Sequence, residues 1–204
     1  MQATDPFRKK PGQARSAATV EAIFEATARI LQDQGSAALN TNAIARLAGI
    51  SIGTLYQYFA DKKSILIALA RRELEFTHRA TIDALCGTDD RPLEEAIRDA
   101  VRTLIKGFGG RQRARKLLIE ALVANGLAGE LARPVDDAMQ AIAAGHARAC
   151  NGGAMAPVEI YVMTRALIGA IRAAVMEQSP YLNSRAFEDE LVRFIGAYVT
   201  NDRR

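Results

Sequence analysis

Residues 41–66 follow a pattern that few folds can accommodate. Apolar residues recur there at helical spacing after Asn40 and Thr41, either of which can cap the first turn of a helix. Gly49 is suited to end that helix, because glycine readily takes the left-handed conformation that closes one. Ser51 is placed to cap a second helix. Two short helices joined by such a tight turn are typical of a helix-turn-helix motif.

The apolar residues of this stretch also indicate how the two helices pack. Leu55 and Phe59 lie one helical turn apart and can hold the second helix on the first. Ala45 provides a small side chain where two steeply crossing helices touch, and Ile50 can fill the angle between them. The pattern therefore predicts a recognition helix held firmly enough to enter the major groove of DNA.

Position by position, this stretch resembles the tetracycline-repressor (TetR) family of bacterial transcriptional regulators. The family pattern, roughly T-x-x-I-A-x-x-A-G-[IV]-S-x-G-[ST]-[LI]-Y-x-[YH]-F-x-x-K-x-x-[IL]-L, is met by Thr41, Ile44, Ala45, Ala48, Gly49, Ile50, Ser51, Gly53, Thr54, Leu55, Tyr56, Tyr58, Phe59, Lys62, Ile65 and Leu66. The resemblance is detailed over the N-terminal third and extends beyond it in helix count and order. It implies a DNA-binding domain at 1–62 with a basic arm and three helices, followed by an effector-binding and dimerisation domain at 63–204.

Composition agrees with an all-α fold. Apolar residues make up 49% of the 204 residues, aromatic residues only 6%, and tryptophan is absent. No stretch shows convincing strand alternation. About nine helices are expected, and those after the first domain lie at 62–86, 93–106, 111–125, 134–150, 157–176 and 184–200, with the first helix of the chain at 17–34.

The net charge of +4 is modest, but its distribution is informative. Four basic residues, with no acidic residue among them, lie at Arg8, Lys9, Lys10 and Arg15. Pro11 and Gly12 disfavour a helix in between. The segment is predicted to be a flexible arm suited to phosphates or to a minor groove. A solvated terminus explains the same charges, although the position ahead of a helix-turn-helix favours DNA.

The resemblance divides the candidate DNA contacts into two groups. The residues similar to family positions that grip the phosphate backbone are Thr41, Thr54, Tyr56, Tyr58 and Lys62. The residues exposed for sequence reading are Asn42, Ile52, Gly53 and Gln57. An amide of the second group can bond an adenine edge, whereas Ile52 offers only an apolar contact, for instance with a thymine methyl. Many family members carry a polar or basic residue in place of Ile52, and the two tyrosines could instead pack flat on their own helix.

The resemblance further implies that helices between residues 62 and 176 enclose a pocket for a small-molecule effector. Candidate lining residues are Phe76, Phe108, Met139, His146 and Met163. An ordinary helical core would use the same apolar residues. His146 also fits a core histidine, since no second metal ligand stands at metal spacing. No cofactor is expected.

The last two helices carry a candidate homodimer interface. Small residues that permit close helix approach in the first are Ala166, Gly169, Ala170 and Ala173. A broad apolar stripe in the second consists of Phe187, Leu191, Phe194, Ile195 and Tyr198. Two such helices from each subunit can form a four-helix bundle. The alternative is that both are core helices of a monomer.

Other classes of protein receive less support. An enzyme is disfavoured because no P-loop, HExxH, GxSxG or GxGxxG motif occurs. An architectural DNA-binding protein without ligand control would not need the long segment after the motif. A cytoplasmic location is expected, without a signal peptide or membrane span. Cys86 and Cys150 have no ligand spacing and are expected to be free thiols, with a redox switch as the alternative.

Overall fold

The computed structural model describes residues 5–9, 12–86, 92–109, 111–131, 136, 140 and 156–200. These residues contain no strand and form eight α-helices: α1 Ala14–Asp33, α2 Thr41–Leu47, α3 Ile52–Tyr58, α4 Lys62–Cys86, α5 Leu93–Gly109, α6 Gln112–Ala124, α7 Pro157–Met176 and α8 Arg185–Thr200. The all-α prediction is confirmed. Most of the helix predicted at 134–150 lies outside the described residues, although Asp136 and Gln140 within it are helical.

The predicted helix caps are present in the N-terminal part of the chain. At three helix starts a side-chain oxygen accepts a hydrogen bond from a backbone N–H group. Asn40 accepts from Ala43 at 2.8 Å, Ser51 from Thr54 at 3.0 Å and Asp61 from Ser64 at 2.7 Å. Each bond satisfies an amide that has no partner within its own helix. The starts of α2, α3 and α4 are therefore determined by local sequence.

The chain divides into two compact units. The first comprises Met1–Arg72 and Arg111–Ala128, and the second comprises Glu73–Gly110 and Gly129–Arg204. Helix α4 passes from the first unit into the second, and α6 belongs to the first. These limits differ from the boundary predicted after residue 62, which is a functional division and stays a prediction.

The first unit is built on α1. Its predicted apolar face is buried at Val20, Ile23, Phe24, Ile30 and Leu31, none of which is more than 5% exposed. Burial of such side chains contributes about 1.5–3 kcal/mol each before conformational entropy is subtracted. Helix α1 packs against α2, which in turn packs against α3.

Polar contacts attach α6 to α1 in the same unit. The guanidinium of Arg111 meets the Glu25 carboxylate with two bonds, Nη1 to Oε2 at 3.0 Å and Nη2 to Oε1 at 2.6 Å. The hydrogen bond from Arg111 holds the pKa of Glu25 below its ordinary value. Next to this pair, the backbone N–H of Ala114 donates to Gln32 Oε1 at 3.2 Å. Both charged side chains are about half exposed, so the pair orients α6 more than it stabilises the unit.

In the second unit, α5 packs along α8. Arg98 and Arg102 of α5 face the acidic pair Glu188 and Asp189 of α8, with Arg102 Nη2 at 2.8 Å from Glu188 Oε1. The hydrogen bond from Arg102 lowers the pKa of Glu188. This charge pairing helps to fix the register of the two helices, which also bury apolar residues such as Val101 and Ile195.

Helix α5 is longer than predicted. The sequence suggests that Gly107 ends the helix, but α5 continues to Gly109. A Cβ atom at Gly107 would lie 2.7 Å from Thr77 Cγ2 on α4. The residue is therefore glycine because two helices approach closely there, and not because the helix stops.

Candidate nucleic-acid interface

Helices α2 and α3 have the predicted helix-turn-helix packing. Ala45 is 3% exposed, and Leu55 and Phe59 are fully buried. Gly49 has a φ of 68°, in the left-handed region. The N–H of Ile50 donates to the carbonyl of Ala45 at 3.0 Å, which closes α2. The turn is thus held by backbone geometry that few residues other than glycine could adopt.

One face of the motif is open to solvent. All four residues predicted to read sequence are exposed on it, namely Asn42, Ile52, Gly53 and Gln57. Ile52, the one large aliphatic residue among them, is 37% exposed. The face therefore offers two amides, one apolar side chain and one glycine that permits close approach of the backbone.

Hydroxyl groups flank this face. The Thr41 hydroxyl lies 3.1 Å from the Tyr56 hydroxyl, and the Thr54 hydroxyl lies 2.8 Å from that of Ser51. Lys62 is exposed at the first residue of α4. These groups can donate hydrogen bonds or supply positive charge to phosphate oxygens, contacts that fix position without reading sequence.

Tyr58 is placed differently from Tyr56. Only 8% of Tyr58 is exposed, against 41% of Tyr56. The sequence groups the two phenols as surface contacts, but the structure makes Tyr58 largely a core residue of the first unit. The period of the helix explains the difference, because residues two positions apart on a helix face different directions.

The N-terminal segment is held against the motif. The Phe7 ring lies 5.0 Å from the Phe59 ring and 6.5 Å from the Phe24 ring, measured between centroids. The Arg8 N–H donates to the Tyr58 carbonyl at 2.8 Å. The expectation of a flexible arm is therefore wrong for these residues, while Lys10 lies outside the described part. A lone phenylalanine without periodicity gave no signal of this packing.

Of the five effector candidates, only Phe76 and Met163 have described side chains. Phe76 is 75% exposed, whereas Met163 is fully buried. The side chain of Phe108, together with Met139 and His146, lies outside the described part of the chain. A cleft of about 490 Å³ in the second unit is lined by α5, the segment before α8 and the start of α8, and its described lining includes neither Phe76 nor Met163.

The dimer candidates divide into exposed and buried residues. Leu191 and Ile195 are 6% and 1% exposed within a single chain, where α8 packs on α5. They are core residues of the second unit, which corrects their assignment to the interface. The remaining candidates are exposed or half-buried, at Ala166, Gly169, Ala170, Ala173, Phe187, Phe194 and Tyr198. The α7 surface also exposes three larger residues that the sequence analysis missed, Val158, Tyr161 and Val162.

The N-terminal part of the chain matches the family model for bacterial regulatory proteins of the tetR family over residues 23–69. Over this segment the chain is similar to that family. It is 39% identical over 51 residues to the HTH-type transcriptional regulator BetI of Rhizobium meliloti (strain 1021), a match that spans 25% of each protein. The sequence likeness to this relative is thus confined to about a quarter of its length.

The TetR-type fold extends over nearly the whole chain. A TetR-family regulator from Marinobacter aquaeolei VT8 superposes with a TM-score of 0.62 at 21% identity. The matched region covers 90% of this chain and 96% of that regulator. The fatty acid degradation regulator FadR from Bacillus halodurans has a TM-score of 0.64 at 17% identity, covering 96% and 100%. The family and these neighbours are transcriptional regulators and not enzymes. Among the described helices, none has the length and apolar character that crossing a membrane requires.

Proposed function

We propose that this protein is a TetR-family repressor that binds a palindromic DNA operator as a homodimer and leaves it when a small molecule binds the second unit. The exposed face of α3 is the observation that carries the proposal. Ile52, Gly53 and Gln57 are exposed on a helix whose other face buries Leu55 and Tyr58. Such a helix can enter a major groove without unfolding any part of its support.

Each group on the face has a defined task in this proposal. Gln57 or Asn42 bonds an adenine edge, and Ile52 contacts a thymine methyl. Thr41, Thr54, Tyr56 and Lys62 hold the phosphate backbone. Gln57→Ala should therefore change the preference among operator sequences, because it removes a base contact and leaves the phosphate contacts in place.

Dimerisation is supported by the exposed row of small residues on α7. Ala166 and Ala173 are exposed, and a Cβ at Gly169 would meet nothing within 4 Å. A second copy of α7 could approach closely along this row. Ala173→Glu should shift the protein towards monomer in analytical ultracentrifugation. Ala128→Glu, which adds the same charge at an exposed alanine of the first unit, should leave the association unchanged.

Ligand control is supported by the course of α4, which runs through both units. A small change in its direction would alter the separation of two recognition helices, which DNA accepts only about 34–36 Å apart. The coupling must be reciprocal, so operator DNA should weaken effector binding by the same factor. A thermal-shift screen with metabolite-like compounds, followed by DNA release assays on each hit, identifies the effector.

The decisive experiment measures binding of the purified protein to the DNA that flanks its own gene, at several salt concentrations. Specific binding by a dimer with a steep salt slope is the expected result. Weak binding indifferent to sequence would instead favour an architectural role. No DNA binding at any salt concentration would refute the proposal.

A further inference from the structure

The segment ahead of α1 is attached to the end of the recognition helix at several points. Phe7 forms an isolated antiparallel bridge with Phe59, the residue that follows α3. The Phe24 and Phe59 rings, 5.8 Å apart, complete a cluster of three aromatic residues with Phe7. The cluster joins three segments that are distant in sequence: the N-terminal segment, α1 and the end of α3.

Phe7 is the side chain that holds this segment in place. It is half-buried, whereas Arg8 and Lys9 are both exposed. The hydrogen bond from Arg8 to Tyr58 contributes only about 0.5–1.5 kcal/mol, comparable to the cost of ordering one residue of backbone. Burial of an aromatic ring, with about 0.5–1.5 kcal/mol more from each ring pair, stabilises the attachment more than this bond does. Without Phe7, the segment would be expected to detach.

The attachment places positive charge beside the candidate nucleic-acid interface. Arg8 bonds to the last residue of α3, one position after Gln57. We propose that Phe7 is a positioning residue that holds Arg8 and Lys9 where they neutralise DNA phosphates next to the site read by α3. The inference rests on the proposed DNA-binding function and adds to it a built element of the interface outside the helix-turn-helix.

The attachment can be tested without DNA. Amide hydrogen exchange by NMR should show a protected Arg8 N–H in the wild-type protein, because that group donates to Tyr58. Phe7→Ala should remove the protection, and Phe7→Tyr, which keeps the ring, should retain it. An unprotected Arg8 amide in the wild-type protein would overturn the proposal.

The DNA contact is tested by salt dependence. In a dimer, replacing Arg8 and Lys9 by alanine removes four charges, so the slope of log K against log salt should become shallower by up to about 3.6. Phe7→Ala should change the slope in the same direction. In the Phe7→Ala background, the double alanine replacement should have little further effect, because the charges are no longer held near DNA.

Matched controls separate positioning from general destabilisation. Tyr181→Ala removes an aromatic ring that is 67% exposed in the second unit and should leave the slope unchanged. If Phe7→Ala weakened binding while the slope stayed at the wild-type value, Phe7 would act only through the fold and the proposal would fail. An unchanged slope after replacement of Arg8 and Lys9 would overturn the role of the segment alone. Failure of the wild-type protein to bind DNA would overturn the proposed function as well.

Discussion

The hydroxyl groups of Thr41 and Tyr56 lie 3.1 Å apart and connect the first residue of α2 with the middle of α3. The resemblance to the family assigns both groups to the phosphate backbone. Their mutual contact means that each can orient the other before DNA arrives. A pre-oriented donor loses less conformational entropy on binding.

Tyr56→Phe should weaken binding to all DNA sequences alike by roughly fivefold, since about 1 kcal/mol is typical of one hydrogen bond. Thr41→Val should have a similar effect. The two losses should combine to less than their sum in a double-mutant cycle measured by fluorescence anisotropy, because each change also removes the orientation of the other group. Strict additivity would show that the pair acts as two independent contacts.

Lys62→Ala should make the salt dependence of DNA binding shallower, by about 0.9 for each phosphate that is no longer neutralised and thus about 1.8 for a dimer. Lys63→Ala is the matched control, because it removes the same charge at the next exposed residue. Lys63 lines a cleft beside the N-terminal segment and is not one of the predicted phosphate contacts. Equal slopes for the Lys62 variant and the wild-type protein would exclude Lys62 from the phosphate contacts.

Gly107→Ala should destabilise the second unit by about 1–3 kcal/mol, because the new methyl group would meet Thr77 Cγ2 at 2.7 Å and Oγ1 at 2.8 Å. Thr77→Ala in the same chain removes both atoms and should recover most of the loss. Urea unfolding of the single and double variants measures both the loss of stability and its recovery. Gly169→Ala, whose methyl group has open space, is a control that should not destabilise the isolated subunit.

Glu188→Gln should lower the midpoint of thermal unfolding at pH 7 by about 2–4 °C, the shift expected for roughly 1 kcal/mol in a domain of this size. The Glu188 side chain is only 14% exposed and its pKa is lowered chiefly by the hydrogen bond from Arg102. A carboxyl group whose pKa is lowered by folding stabilises the folded state fully above its unfolded value, about 4.3.

That stabilisation is lost as the pH falls through the folded-state pKa of Glu188. The difference in the midpoint of thermal unfolding between wild type and Glu188→Gln should therefore be constant from pH 7 to about 5 and should shrink below about 4.3. Glu190→Gln controls for loss of an exposed carboxylate on the same helix. A difference that stayed constant down to the acid end of the titration would contradict a role for the ionised Glu188.

Much of the first unit could be predicted because its signals are local. A cap needs one side chain and an amide three residues away, as with Asn40 and Ala43. A helix closes at Gly49 through a bond that spans five residues, from Ile50 to Ala45. The exposed reading face follows from the same period that buries Leu55. Such interactions are visible in a short window of sequence.

The prediction that failed for the dimer interface, and a pairing that the sequence did not predict, both depend on contacts between distant residues. Leu191 and Ile195 have the pattern of an interface stripe, and only their packing on α5 shows that one chain already covers them. Arg111 joins α6 to α1 through Glu25, 86 residues earlier. The sequence contains no periodic signal for such a pairing.

By itself, the sequence determined most of the described helices, the caps of α2, α3 and α4 and the order of charges and hydroxyls along the helix-turn-helix, because these depend on neighbouring residues. Tertiary structure alone decided that Tyr58 is buried, that Phe7 is held against Phe24 and Phe59, and that α6 belongs with the first unit. Each of these depends on which apolar or charged surfaces meet in space. A helical pattern specifies that a face must be covered, and only the folded chain specifies what covers it.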